Sequence, residues 1–72
     1  MTSSDADYVD FALRATRHYA DSRDFARFGQ VVFNVLETMR PDIADQLRGT
    51  DLDPFYKTSV DDKVWSFIRS RW

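Results

Sequence analysis

Between Phe25 and Met39 the chain runs through fifteen residues of which only Arg27, Gln30, Asn34, Glu37 and Thr38 are polar. Phe25, Phe28, Val32, Val35, Leu36 and Met39 recur at helical spacing, and Gly29 and Phe33 widen that apolar stripe into a broad arc. A helix that is apolar around most of its circumference must be enclosed by other elements. The rest of the chain has to supply that enclosure, so this one segment points to an all-α fold.

Only 72 residues are present, which is one domain's worth and close to the size below which a single core needs staples. Without cysteine there is no disulfide framework and no thiolate metal site, and the lone His18 cannot build a histidine cluster. Stabilisation therefore falls to the core. Six Phe, three Tyr and two Trp provide large apolar surfaces for it, each burying about 150–250 Å².

The segment before this helix reads as an amphipathic helix from about Asp5 to Ala20, with Ser3, Ser4 and Asp5 offering cap oxygens. Tyr8, Val9, Phe11, Ala12, Leu13, Ala15, Thr16, Tyr19 and Ala20 occupy one side of its wheel, and Asp10, Arg14, Arg17 and His18 the other. Asp21-Ser22-Arg23-Asp24 predicts a tight turn into helix two, which should begin near Arg23 or Asp24 and end at Met39. Gly29 costs about 1 kcal/mol in a helix interior, so a close neighbour is expected there. Pro41 stops helix two and opens a short helix to Arg48, with Gly49 as the left-handed residue past its end.

Thr50 to Thr58 reads as an ordered loop, with Leu52, Phe55 and Tyr56 plugging the bundle. Ser59-Val60-Asp61-Asp62 resembles a capping box opening a last helix that carries Val64, Trp65, Phe67, Ile68 and Trp72. The expected architecture is a small bundle of three main helices, a short helix and an ordered loop, forming a single helical domain over residues 1–72.

Function is less legible. Asp51, Asp53 and Asp62 fall at positions 1, 3 and 12 of a calcium-loop pattern, but Tyr56 stands where that loop needs glycine and no bidentate Glu closes it. Neither metal nor cofactor is expected, and Asp51 and Asp53 read as turn residues. His18 has no nucleophile or second acid nearby in sequence, and the serines and threonines cluster at helix caps, so no enzyme is expected. Arg27, Gln30 and Asn34 form a polar line that is expected to hydrogen-bond the Gly49 to Tyr56 loop, with Arg27 paired to Asp51 or Asp53.

Ten Lys and Arg against twelve Asp and Glu give a net charge of −2, which supplies no general attraction to nucleic acid or anionic membrane. No segment approaches the length of about 20 apolar residues needed for a membrane span, and the N-terminus has no leader pattern, so a cytoplasmic location is expected. Arg14, Arg17, His18 and Arg23 form the one basic face that fits phosphate binding. Asp10, Asp21 and Asp24 interrupt it, and helix two lacks the polar, base-reading character of a recognition helix.

The residues Phe28-Gly29-Gln30, Asn34, Leu36, Arg40-Pro41-Asp42, Ala44, Arg48-Gly49-Thr50-Asp51, Asp53-Pro54-Phe55-Tyr56, Phe67 and Trp72 form a further pattern. In these the chain resembles a group of short uncharacterised proteins from phages, plasmids and bacterial genomes, over about two thirds of its length from Arg27 onward. The resemblance implies a phage or mobile-element accessory protein that binds a host protein, and it supplies no catalytic residue or ligand.

The leading expectation is thus a noncatalytic protein-interaction module, with a host protein or a second copy of itself as partner. Phe11, Val31, Phe55, Tyr56, Trp65 and Trp72 are its expected contact residues, Phe11 and Val31 because they lie at the edges of their apolar arcs. The alternatives are nucleic-acid binding through the Arg14, Arg17, His18 and Arg23 face, and a self-assembling structural subunit.

Overall fold

Arg27 leaves the first helix-to-helix connection in an extended conformation, and from Phe28 the chain winds into the apolar helix that the whole molecule surrounds. The computed structural model describes residues 3–22, 24 and 26–72, with side chains from Ala6 onward. Four helices follow in order, α1 (Ser3–Ser22), α2 (Phe28–Met39), α3 (Pro41–Leu47) and α4 (Asp62–Arg71), and no strand occurs among the described residues. The small all-α bundle is therefore the fold, with overall extents of 35 × 25 × 20 Å.

Its core is drawn from every helix. Phe11 and Ala15 of α1, Val31, Val32, Phe33, Val35 and Leu36 of α2, Ile43, Ala44 and Leu47 of α3, and Val64 and Ile68 of α4 are all buried. Pro54 joins them from the loop. α4 meets the others through rings: Trp65 lies 6.0 Å from Phe11 and 6.4 Å from Phe28, and Trp72 stacks on Phe11 at 5.2 Å. Such pairs add about 0.5–1.5 kcal/mol each beyond the area they bury.

Helix two starts later than the turn chemistry of Asp21 to Asp24 predicts, at Phe28. The first turn of any helix presents free amides that need acceptors. Here the Gly29 amide donates to the Lys57 carbonyl at 3.0 Å, so a distant loop caps α2 and Arg27 makes no side-chain cap. The same approach accounts for glycine at position 29: a Cβ there would overlap the Pro54 carbonyl oxygen and stand 2.6 Å from that of Lys57. Phe25, expected in the central stripe, lies outside the described residues, as does Arg23. Helix one spans Ser3–Ser22, longer at both ends than expected, and Ser3 to Asp5 fall within it.

Pro41 opens α3 as expected, and Gly49 beyond it has φ +76, the left-handed conformation that glycine adopts without strain. The loop that follows is held mainly by its own side chains. Asp53 accepts from the Gly49 amide at 2.9 Å and from the Phe55 amide at 3.0 Å, while Thr50 donates its hydroxyl to Leu47 O at 2.8 Å. Asp61, rather than Ser59, caps α4 by accepting from the Lys63 and Val64 amides at 2.9 and 3.2 Å.

Candidate functional site

Helix α1 carries two different apolar faces. Phe11 and Ala15 are fully buried, with Tyr8 and Tyr19 packed beside them against the core. At 100° per residue, Val9, Leu13, Thr16 and Ala20 form a second stripe, turned roughly 130° away from the first. All four are exposed, Val9 to 48% and Leu13 to 50%. Ala6 extends the line by one turn and is exposed as well. Asp10 and Arg17 border it on the solvent side and are also exposed.

These residues fell on the expected core face of helix one, and the structure divides that face in two. The signal was in the wheel. Nine apolar or small residues from Tyr8 to Ala20 cover an arc of roughly 200°, about twice what one core-facing stripe requires.

The six expected contact residues separate by burial. Phe11 is fully buried and lies in the interior, whereas Val31, 6% exposed, packs in the core and reaches the surface only at the floor of a groove between α1 and α2. Trp65, Trp72 and Phe55 are half-buried. Trp72 is a packing residue, with Tyr8 at 5.8 Å, Phe11 beneath it and the Arg40 guanidinium 5.4 Å from its ring. Phe55 stands edge-on to Phe33 at 5.8 Å and to Tyr56 at 4.9 Å. Tyr56 does not plug the bundle, being 78% exposed, whereas Leu52 and Phe55 pack against the core as expected and Pro54 is fully buried.

Arg40 ties the α2–α3 junction to the end of α4. Its guanidinium donates to both carboxylate oxygens of Asp42, at 3.1 and 3.0 Å, and to Trp72 O at 2.9 Å. The hydrogen bond from Arg40 holds the exposed Asp42 carboxyl below its ordinary value. Burial pushes the Tyr8 phenol above its ordinary value, partly opposed by the Arg69 guanidinium, which sits 5.8 Å from the ring.

The polar line on α2 does not serve the loop. No side-chain hydrogen bond runs from Arg27, Gln30 or Asn34 to residues 49–56, because Thr50 and Asp53 satisfy that backbone from within. Arg27 and Gln30 instead line a shallow surface hollow with Tyr19 and Thr58. Asn34 borders a groove of about 260 Å³ between α1 and α2, rimmed by Arg14 and His18 and floored by Val31, Val35 and Met39.

Arg14, Arg17 and His18 are exposed on the charged side of α1, and Arg23 lies outside the described residues. Arg14 is already paired with Asp10 at 2.9 Å, which reduces the positive field on that face. Among the described residues no group of three or more His, Asp or Glu side chains is close enough to hold a metal ion. No described helix is long and apolar enough to cross a membrane. Comparison with protein-family models, curated proteins and solved structures found no match to this chain.

Proposed function

We propose that this chain is a noncatalytic protein-interaction module that works in the cytoplasm and presents the outer face of α1 to a protein partner. The observation that carries the reading is the pair Val9 and Leu13, about half exposed and one helical turn apart on a face the core does not use. Single exposed apolar residues are ordinary on any surface, but a line of them along a regular helix is a ready-made recognition edge. The helix that bears it is anchored to the core through Phe11 and Ala15, both fully buried. A preorganised face loses little conformational freedom when it binds. An accessory role in a phage or mobile element fits a module of this size.

Affinity capture from the cell that encodes the chain tests this reading, with the wild-type protein beside Leu13→Glu. Leu13 is on the surface, so the variant keeps its helical circular dichroism. A protein retained by wild type and lost with the folded variant is the expected result. Equal capture by both would show that the outer face of α1 binds no partner.

A further inference from the structure

We propose that the occupant of the outer α1 face is a second copy of this chain, packed antiparallel along α1; this rests on the interaction reading above and names its partner. Ala6, Val9, Leu13, Thr16 and Ala20 are separated by three, four, three and four residues, the alternation of a two-helix coiled-coil seam. Each of the five is exposed. The Thr16 hydroxyl donates to Ala12 O at 2.9 Å, so its hydrogen-bonding need is met inside the helix and its methyl group is available to the seam.

The charges beside the seam choose both the partner and its direction. Asp10 and Arg17 lie on the same edge, seven residues apart and opposite in sign. When two copies pair antiparallel, Leu13 meets Thr16 of the second copy and Val9 meets Ala20. Asp10 then faces Arg17 of the other chain, twice over by symmetry. Parallel copies would instead set Ala12 against Arg17 and gain no opposite charge. Arg14 occupies one carboxylate oxygen of Asp10 at 2.9 Å, and a carboxylate accepts at its second oxygen too. Among the described residues Arg17 makes no ion pair of its own. In this register the paired seam runs only from Val9 to Ala20, short of two heptads, so the association is reversible and concentration-dependent.

Sedimentation equilibrium of the full chain over a micromolar to millimolar series tests this, with circular dichroism confirming that every variant is folded. Wild type should show a monomer–dimer equilibrium that Leu13→Glu weakens by about 100-fold or more. Asp10→Arg and Arg17→Asp should each weaken it by about tenfold, and the double exchange D10R/R17D should restore it, because the opposed charges are merely swapped. If Leu13→Glu fails to fold, Val9→Gln serves in its place.

A wild-type chain that stays monomeric throughout overturns the proposal, and so does a dimer indifferent to the seam variants or a double exchange no better than either single change. If the chain is monomeric yet a different protein is captured through Leu13, self-pairing fails while the interaction reading stands. If neither association depends on Leu13, both fail.

Discussion

Adding one carbon at Gly29 brings it into the Pro54 carbonyl oxygen and within 2.6 Å of that of Lys57, both of them backbone atoms that cannot swing aside. Alanine is worth about 1 kcal/mol more than glycine in a helix interior, but displacing the loop costs about 1–3 kcal/mol. Gly29→Ala is therefore expected to lower stability in urea denaturation, whereas a gain would show that the loop does not sit on α2. At the start of α4, Asp61→Ala should cost about 1 kcal/mol through loss of its two amide hydrogen bonds, and Ser59→Ala almost nothing. Tyr8 gives a pH signature. Burial raises its folded value above the unfolded value of about 10, so its contribution is complete below that pH and is lost as pH rises through the raised value. Tyrosine absorbance titration should show a component displaced upward that Tyr8→Phe removes. A close neighbour at Gly29 was legible in the sequence, but which atoms approach was not, because the loop carbonyls come from residues about 25 positions away. Asp61 and Ser59 are both good caps, and only the backbone path decides between them.

Helix α1 divides its apolar residues between a buried face and an exposed one. Leu36→Ala, at a fully buried position on α2, should destabilise the bundle by about 2–5 kcal/mol in thermal or chemical unfolding. Leu13→Ala should change monomer stability by no more than about 0.5 kcal/mol, since that side chain lies about half in water. A large loss at Leu13 would place it in the core. Helix existence and order were readable from periodicity, Pro41 and Gly49, because these signals act within one turn of the chain. The start of α2 was not, since its amide acceptor is the Lys57 carbonyl and long-range capping leaves no local mark. Nor was the exposed stripe separated from the buried one. A wheel shows which residues share a side, while how far neighbours close over that side depends on packing, which buried Phe11 and Val31 and left Val9 and Leu13 outside.

For the molecule as a whole, a chain of 72 residues without cysteine draws one core from all four helices. Arg40 joins the α2–α3 junction to Trp72, and the rings of Tyr8, Phe11 and Trp72 join α4 to α1, so the outer face of α1 is displayed on a body braced from behind. This face is proposed to meet a protein. Photocrosslinking from a benzophenone side chain placed at position 13, beside the same group at the exposed loop position 51, tests it most directly. A discrete protein adduct is expected from position 13, whether a second copy or another chain, and none from position 51. Equal labelling from both positions, or none from position 13, would contradict it.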